Sequence, residues 1–444
     1  MARGKKKESA LTPEEKLAQA LVPVEEQPYK VPKNWCWVYL IKGAAECLDS
    51  FRKPINATER ADREGEIPYY GATGQVGWID DYLTDEELVL LGEDGAPFLD
   101  LIKDKAYLIT GKAWVNNHAH ILRSYYGSVG NRYLVNYLNS FNYKGYVNGT
   151  TRLKLTQTSM DTMPVPVPPL AEQQRIVDRI EYLFAKLDEA KEKAQSVLDS
   201  FETRKAAILH KAFTGELTAK WRAEHDVGMD SWEHLTYSDI GSSKLGKMLD
   251  KAKNDGLPIP YLRNINVRWF TFDLNDVSTM LASEAEIEAL SVKKGDLFIC
   301  EGGEPGRCAI WKEPDSNLIF QKALHRFRPN KKVISEFLCY NLYFMSLSGT
   351  LEEYFTGTTI KHLTGQSLSK LPVHLPYVPE QTEIVRILDS LFAKEQQAKE
   401  AAEAVLEKIE LLKKSILARA FRGELGTNDT TEESAVELLE TILR

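Results

Sequence analysis

One stretch of this chain occurs twice at a constant distance along the sequence, and the repeat limits the folds open to it. Residues 168–217 match residues 376–425 without a gap, since Gln173 corresponds to Gln381 (381 − 173 = 208) and Gly215 corresponds to Gly423. Solenoid repeats are only about 20–50 residues long. So long a period therefore indicates a duplicated pair of domains within the 444 residues.

Each copy carries apolar residues at alternating steps of four and three, which is typical of a helix that packs along another helix. The predicted helix–helix seam consists of Ile176, Ile180, Leu183, Leu187, Ala190, Ala194 and Val197 in the first copy, and of Ile384, Leu388, Leu391, Ala398, Ala402, Val405, Ile409 and Leu412 in the second. Prolines 169 and 379 mark the starts and glycines 215 and 423 the ends. A seam along helices of roughly 60 Å needs another long helix, so we predict that the two copies pair instead of each packing on its own domain.

The composition is that of a globular protein of several domains, with 43% hydrophobic and 27% charged residues. No apolar run approaches the roughly 20 residues of a membrane span, which predicts a cytoplasmic protein without a membrane partner. The five cysteines are odd in number and lack metal-ligand spacing, which indicates reduced structural thiols.

The net charge gives no clear indication of a nucleic-acid partner. Proteins that bind nucleic acid are usually basic, but many of the acidic residues here lie at the chain ends and on outer helix faces. The net charge of −8 therefore neither supports nor excludes a DNA partner.

The pattern of strands, turns and helices divides the chain into six segments. They are an N-terminal arm with a short helix (1–32), a first globular domain (33–167), the first long helix (168–217), a second globular domain (218–375), the second long helix (376–425) and a C-terminal tail (426–444). Short strands punctuated by glycines predict mixed α and β structure in both globular domains. In the arm, Thr12 and Glu15 predict a capped helix start, and the arm either docks loosely or completes the helical bundle.

The two globular domains share short sequence motifs, but the segments that lie between these motifs differ. Ile259-Pro260-Tyr261 repeats Ile67-Pro68-Tyr69, and Gly357-Thr358-Thr359 repeats Gly149-Thr150-Thr151. Scaffold residues recur while the intervening loops diverge. This contrast is typical of two recognition domains built alike for different targets.

A catalytic function finds no support among the known short motifs. The sequence contains no phosphate-binding glycine loop, no dinucleotide fingerprint and no nucleophile elbow. His118 and His120 would share one face of a strand but lack a third metal ligand, and the sequence names no base near Glu93 and Asp94. We therefore predict neither a catalytic residue nor a metal site.

Polar residues in the loops of both domains have the chemistry to meet nucleic acid, because asparagine bonds adenine edges and lysine or arginine bonds guanine edges and phosphates. In the first domain they are Lys112, Trp114, Asn116, Asn117, His118, Thr150, Thr151, Arg152 and Lys154, and in the second they are Arg263, Asn264, Asn266, Arg268, Arg307, Lys322, Lys361 and His362. Any one of them is more often a solvated surface side chain. Two such groups at equivalent positions favour a binding function.

The starts and ends of the two long helices share sequence motifs that resemble those of a known family. Pro168-Pro169-Leu170-Ala171-Glu172-Gln173 and Pro379-Glu380-Gln381 each open a long helix that closes on Ala-Phe-x-Gly-Glu-Leu. In these motifs the chain resembles the specificity subunits of type I restriction and modification enzymes. Residues 67–74 and 357–359 also resemble the target-recognition domains of that family, which adds Tyr69, Thr73, Thr358 and Thr359 to the candidate DNA-binding residues.

The resemblance implies a noncatalytic subunit with an α+β fold, in which two target-recognition domains are separated by two long antiparallel coiled-coil helices. Each domain would read one half of a split, asymmetric site in double-stranded DNA, while the helices set the spacer and dock two methyltransferase subunits. S-adenosylmethionine, ATP and Mg²⁺ would be used by those methyltransferase subunits and by restriction subunits, and none would bind this chain. Antiparallel pairing would bring the seam alanines together at the centre and place Phe184 near Ile409.

Two other classes of function stay open at the level of sequence. One is a stand-alone enzyme that acts on DNA, such as a nuclease with duplicated domains. The other is a coiled-coil adaptor with two protein-binding heads. Only a specificity subunit is expected to have a methyltransferase partner.

Overall fold

The computed structural model describes residues 11–100, 102–250, 255–314 and 316–444 and divides into two compact units. The first unit comprises the chain up to Ala194 together with Ala404–Arg444, and the second comprises Gln195–Glu403. Each unit therefore holds one globular domain and a part of both long helices. Among the described residues, no helix combines the length and the apolar character that crossing a membrane requires.

Short strands alternate with a few helices in the first half of the chain. The elements are α1 (Pro13–Ala20), β1 (Cys36–Tyr39), β2 (Ala45–Cys47), α2 (Ala57–Ala61), β3 (Ile67–Gly71), β4 (Gly74–Ile79), β5 (Thr84–Asp85), β6 (Leu88–Gly92), β7 (Ala106–Ile109), β8 (Lys112–Val115), β9 (Ala119–Ser124), α3 (Gly127–Ser140), β10 (Val147–Asn148), β11 (Lys154–Leu155), α4 (Gln157–Met160), β12 (Pro164–Val167), α5 (Leu170–Asp199), α6 (Phe201–Phe213) and α7 (Ala219–Glu224). Single 3-10 or π-helical turns cover Val24–Glu26, Leu40–Ala44 and Asp49–Phe51.

The second half follows a similar order. Its elements are β13 (Glu233–Thr236), α8 (Tyr237–Ile240), β14 (Gly241–Leu245), β15 (Leu257–Leu262), β16 (Val267–Arg268), β17 (Thr271–Phe272), β18 (Ser278–Ala282), α9 (Glu284–Leu290), β19 (Leu297–Cys300), β20 (Cys308–Ile310), β21 (Ile319–Phe320), β22 (Leu324–Pro329), α10 (Ser335–Leu347), α11 (Gly365–Ser369), β23 (Pro372–Leu375), α12 (Val378–Ala420) and α13 (Ala435–Leu443). The 3-10 turns here cover Met229–Ser231, Asn264–Asn266 and Thr350–Tyr354.

The duplication predicted from the sequence extends to sheet topology. The first unit contains an antiparallel sheet in the order β2-β9-β6-β7 and a second sheet in the order β4-β3-β8-β5, in which β3 and β8 run parallel. The second unit repeats this with β14-β22-β19-β20 and with β18-β15-β21, in which β15 and β21 run parallel. The pairs β1·β12 and β13·β23 close the base of each domain. The predicted α+β class and internal repeat are confirmed.

The central strand of each domain is buried on both faces, because it lies between a helix and the second sheet. On β6, Val89 and Leu91 pack with α3, while Leu88 and Leu90 pack with the second sheet. Alternate residues of a strand point to opposite faces, so a continuous apolar run is what this layer requires. In the second unit β19 divides its residues between α10 and the second sheet in the same way.

The two long helices run antiparallel, as the resemblance implied. In the first unit Lys413 Nζ lies 2.6 Å from Asp188 Oδ1, and Lys191 Nζ lies 3.5 Å from Glu410 Oε1. Three residues forward on one helix thus correspond to three residues back on the other. These pairs also show that the predicted register was wrong, because Phe184 lies under Lys413, whose Nζ is 5.1 Å from the ring centre, and not near Ile409.

Five of the eight predicted seam positions on α12 are buried or half-buried, and three are exposed. Ala398, Val405 and Leu412 are exposed, so these three residues do not belong to the buried stripe of α12. From Leu388 onward, a buried or half-buried stripe at steps of four and three consists of Leu388, Phe392, Glu395, Lys399, Ala402, Leu406, Ile409, Lys413, Ile416 and Ala420. The stripe keeps the heptad spacing, and Ala402 and Ile409 belong to it as predicted. Its steps of four and three alternate in the opposite order, so Lys399, Leu406 and Lys413 take the places predicted for the residues one position earlier.

The first long helix is not continuous, in contrast to the prediction. It is interrupted at Ser200, whose hydroxyl donates to the carbonyl oxygen of Ser196 at 2.6 Å. Arg204 Nη2 also donates to the carbonyl oxygen of Val197, at 3.2 Å. Side chains that bond helix carbonyls bend a helix. The predicted ends are correct, since Gly215 and Gly423 follow the last turns with φ of 80° and 73°, a conformation that favours glycine.

The repeated Glu-Gln motif anchors the start of each long helix. Glu172 is buried and accepts bonds from Trp35 Nε1 at 2.7 Å and Asn428 Nδ2 at 2.8 Å. Glu380 is buried likewise and accepts from Trp232 Nε1 at 3.0 Å. Gln173 and Gln381 donate to the carbonyl oxygens of Pro168 and Pro376. The motif that carried the resemblance is thus structural.

The N-terminal arm is docked. Thr12 and Glu15 form the predicted capping box at the start of α1. Ala20 is buried, and Lys16 Nζ donates to the carbonyl oxygen of Leu443 at 3.1 Å. Its partner α13 is a helix that the sequence analysis did not predict within the C-terminal tail.

Candidate nucleic-acid interface

One end of the parallel strand pair gathers most of the candidate residues of the first unit. Tyr70 lies opposite Val115, and parallel strands share the edge at which they end. Three backbone hydrogen bonds hold loops together at this end. The amide of Asn116 donates to the carbonyl oxygen of Tyr70 at 3.1 Å, and the amide of Glu93 donates to the carbonyl oxygen of His118 at 2.7 Å. The amide of Gly95 donates to the carbonyl oxygen of Leu153 at 3.1 Å. Residues 71–74, 93–95, 116–118 and 149–154 therefore meet at this end, which we name the first polar edge. It brings together Thr73, Asn116, Asn117, His118, Thr150, Thr151, Arg152 and Lys154.

Two carboxylates neutralise the cations of the first polar edge. Asp94 Oδ1 lies 2.6 Å from His118 Nδ1 and 2.9 Å from Arg152 Nη2. Glu93 pairs with Lys154 Nζ at 2.9 Å and with Arg52. No base near these acids could be named from the sequence, because their partners come from distant segments of the chain. Burial acts to raise the pKa of Glu93, but the bonds from Lys154 and Arg52 outweigh it and leave the pKa below its ordinary value.

Four residues that were predicted to contact DNA are buried and support the fold instead. Tyr69 bonds the backbone of Ile55 through its hydroxyl, and Trp114 Nε1 donates to the carbonyl oxygen of Lys53 at 2.8 Å. The third is Asn116, whose Oδ1 accepts from the amide of His118, and the fourth is Asn266, whose Nδ2 donates to two backbone carbonyls. Their relative exposure is at most 7%, so they offer almost no surface to DNA.

Lys112 is exposed, but it lies away from the other candidates. It begins β8, whereas the first polar edge lies where β8 ends, about 10 Å further along at roughly 3.3 Å per residue. Its Nζ stands 4.5 Å from the ring centre of Tyr82. The structure therefore does not bring Lys112 to the edge.

The second unit has an equivalent edge. Leu262 lies opposite Phe320 in the parallel pair, and the amide of Gln321 donates to the carbonyl oxygen of Leu262 at 3.0 Å. Asn264 Nδ2 donates to the carbonyl oxygen of Gly302 at 3.3 Å. The amide of Leu363 donates to the carbonyl oxygen of Glu301 at 2.7 Å. Residues 263–264, 301–307, 321–322 and 356–362 form this second polar edge. It brings together Arg263, Asn264, Arg307, Lys322, Thr358, Thr359, Lys361 and His362.

The arginines of the second unit are paired in different ways. Arg307 donates to Glu304 at 2.6 Å and to the carbonyl oxygen of Asn264 at 3.0 Å. Arg263 contacts Asp276 at 2.7 Å. Arg268 lies on the β16–β17 hairpin, 3.8 Å from Asp273, and is not part of the edge as defined. Lys322, Thr358, Thr359 and Lys361 are exposed.

Two groups beside the polar edges could not be identified from the sequence. Asp49 and Arg52 lie in a turn that no motif marks, so only the folded structure reveals that they belong to the first edge. Trp269 Nε1 donates to Glu304 at 2.9 Å beside the second edge. Trp78 on β4 was also not predicted; it is 56% exposed and lies opposite Pro68, near the start of β3 and away from the polar edge.

Asp49, Glu93 and His120 offer ligand atoms within 4.8 Å of one another. Burial acts to raise the pKa of Asp49, but the hydrogen bond from His120 and the charges around it leave the pKa below its ordinary value. Arg52 pairs with both carboxylates and Lys154 with Glu93. Because the protein itself supplies the cations, we assign no metal to this group. His118 and His120 also do not form the expected pair on one strand face, because His118 lies in the loop before β9 and bonds Asp94, whereas His120 is buried on β9 and bonds Asp49.

The two units correspond to two matches with a known family. The family model described as type I restriction modification DNA specificity domain matches residues 38–198 and 229–408. Together these ranges cover more than half of the chain, and the chain belongs to this family.

Individual relatives agree with this assignment. The type I restriction enzyme EcoKI specificity subunit of Escherichia coli K12 is 30% identical over 303 residues, which span 64% of this chain and 64% of that subunit. A putative type I restriction enzyme specificity subunit of Haemophilus influenzae is 26% identical over 349 residues, covering 78% of this chain and 84% of the relative. The solved HsdS subunit of Thermoanaerobacter tengcongensis has the same fold, with a TM-score of 0.60 at 17% identity over 90% of this chain and all of that one.

Proposed function

We propose that this chain is the DNA-specificity subunit of a type I restriction–modification complex, in which each unit reads one half of a bipartite, asymmetric site. The observation that carries the proposal is the repeated polar edge. Equivalent sheet ends present different side chains. Asn117 in the first unit and Lys322 in the second unit each lie two residues beyond the last pair of the parallel strands. Asparagine and lysine suit different base edges in the major groove, so the two edges would recognise different half-sites.

Catalysis would belong to other subunits. The charged groups of the first polar edge are committed to ion pairs, and the second edge has no nucleophile paired with a base among its described residues. S-adenosylmethionine for methyl transfer and ATP with Mg²⁺ for restriction would therefore be bound by partner chains. Neither the nuclease nor the adaptor alternative explains two DNA-specificity matches in one chain.

The long helices would serve the complex in two ways. A continuous α12 of 43 residues is roughly 64 Å long, and helices of fixed length would set the number of unread base pairs between half-sites. The outer face of α12 in the first unit carries exposed Val405, Leu411 and Leu412. Exposed apolar groups of this kind mark protein interfaces, and we assign this face to a methyltransferase subunit.

Substitutions at Asn117 and Lys322 test the reading of DNA. In the complete complex, Asn117→Ala is expected to relax only the half-site read by the first unit, and Lys322→Ala only the other, since one base contact contributes about 1–3 kcal/mol of discrimination. Sequencing of methylated positions measures both halves. The control is Lys112→Ala, at the far end of β8, which should change neither. Relaxation of both halves by a single substitution would contradict the proposal.

The docking face is tested by Leu411→Glu combined with Leu412→Glu. Both side chains are exposed, at 63% and 48%, so the variant should keep its melting temperature and lose the methyltransferase subunit in size-exclusion chromatography. Leu99→Glu, at an equally exposed leucine elsewhere in the first unit, is the matched control and should still assemble. Full assembly of the double variant would exclude this face.

A further inference from the structure

A buried histidine in the first unit faces two acceptors. His120 lies on β9 and is 1% exposed. Its Nδ1 is 2.6 Å from Asp49 Oδ2, and its Nε2 is 3.0 Å from the carbonyl oxygen of Leu155. Leu155 directly follows residues 149–154 of the first polar edge. The contact between His120 Nε2 and the carbonyl oxygen of Leu155 therefore holds that segment in place.

The protonation of His120 follows from counting donors. A carbonyl oxygen only accepts, and so does an ionised carboxylate, whereas a neutral imidazole has a single N–H. Asp49 is held in its ionised form, because it also accepts from the amide of Ile121 at 2.9 Å and pairs with Arg52 at 2.9 Å. Both contacts of His120 therefore require the doubly protonated imidazolium.

The charged neighbours of His120 come from three segments. Besides Asp49 and Arg52 they are Glu93, whose Oε2 is 4.0 Å from Nδ1, and Lys154, which pairs with Glu93. The thiol of Cys47 on β2 lies beside Asp49, and its burial raises its pKa to about 11, so it stays neutral. The two carboxylates balance Arg52 and Lys154, and the imidazolium adds one positive charge.

The second unit contains the same histidine in a different setting. His325 on β22 is buried, and its Nε2 lies 2.8 Å from the carbonyl oxygen of Leu363, which closes the 356–362 segment. Its cross-strand neighbour is Leu245, at the place that Asp49 takes in the first unit. His325 Nδ1 has no hydrogen-bond partner among the described residues. Burial lowers the pKa of His325, and a neutral ring satisfies its one contact.

We propose that His120 is a positioning residue whose imidazolium form fixes the 149–154 segment, so that recognition by the first unit weakens when the ring loses its second proton. The inference rests on the proposed reading of DNA by the first polar edge. Deprotonation leaves one N–H between two acceptors, and either Leu155 or Asp49 loses its bond. Discrimination at the first half-site should therefore be full at low pH and fall as the pH rises, by roughly two- to tenfold, which is the range of one hydrogen bond.

The test uses the full chain with its methyltransferase partner and a duplex library of randomised sequence. Bound DNA is sequenced at intervals between about pH 5 and about pH 9, which includes the range in which histidine side chains ordinarily titrate, and each half-site is scored separately. Asp49→Asn should remove the pH response. The side-chain amide of the asparagine can donate to Nδ1 of a neutral ring, and Nε2 of that ring can still donate to the carbonyl oxygen of Leu155. His120→Gln should remove it as well, since glutamine keeps a donor that does not titrate.

Other titrating groups are controlled within the same experiment. His118 is the other histidine in the described part of the first unit, and Asp49→Asn leaves it and Asp94 unchanged. The reciprocal variant Leu245→Asp places a carboxylate opposite His325 and should add a pH response to the second half-site. Effects of pH on phosphate contacts act on both halves and cancel in the comparison.

The outcomes separate this inference from the proposed function. Loss of all sequence preference in the native protein would refute the reading of DNA itself. A first half-site that is independent of pH, or one whose response survives in Asp49→Asn, would overturn the role of His120 alone. Nitrogen-15 spectra of histidine-labelled protein give a second readout without DNA, since the contacts with Asp49 and Leu155 require both nitrogens of His120 to be protonated under the conditions in which the first half-site is fully discriminated. A neutral ring there would also overturn the inference.

Discussion

Glu380→Gln is expected to lower the melting temperature of the second unit by roughly 6–20 °C. Glu380 is fully buried, and its Oε1 lies 2.6 Å from Nη1 of Arg222, which is itself buried. An amide leaves this guanidinium without a counter-charge, and breaking a buried ion pair costs about 3–5 kcal/mol. For a unit of this size each kcal/mol shifts the melting temperature by roughly 2–4 °C. Calorimetry of the full chain measures the loss.

Glu172→Gln is the matched control, because the same motif position has different partners in the first unit. The donors to Glu172 are the neutral groups of Trp35, Thr427 and Asn428, and no ion pair is broken. The expected cost is only about 1 kcal/mol, the net contribution of a hydrogen bond. Equal losses in the two variants would show that the ion pair with Arg222 does not stabilise the second unit.

Much of the scaffold could be predicted from the sequence, because it depends on local patterns. The period of the repeat, the capping box at Thr12 and the glycine stops at Gly215 and Gly423 each follow from neighbouring residues. On α12 the heptad spacing was predicted correctly, but the order in which its steps of four and three alternate was not, so Ala398, Val405 and Leu412 were assigned to the seam although they are exposed. The interruption at Ser200 depends on a side chain bonding its own helix, which a periodic pattern does not encode.

The polar edges were predicted only as an inventory of residue types. Burial of Trp114 follows from strand β8, whose alternation is too short to be recognised in the sequence. The partners of Glu93 and Asp94 come from segments up to about sixty residues away, and a tertiary contact of that kind leaves no local signal. Residue types thus indicated the chemistry, while the fold decided which residues face solvent.

Exchange of a whole domain should redirect one half of the recognised site. The antiparallel pair β1·β12 closes the first domain, with Cys36 opposite Val167, so Lys33–Val167 can be replaced at two adjacent points by the equivalent domain of another family member. The donor must keep a tryptophan at position 35, because Trp35 Nε1 donates to Glu172 at the helix start. With a relative of different specificity, we expect a complete change of the first half-site. The reciprocal control replaces Glu233–Leu375, which the pair β13·β23 closes in the same way.

The most direct test of two independent readers is the position of methylated bases across a genome modified by the Lys33–Val167 chimera with its methyltransferase partner. The structure predicts a new first half-site, an unchanged second half-site and an unchanged spacer, because both long helices are retained. A change in the second half-site would contradict independent reading by the two units.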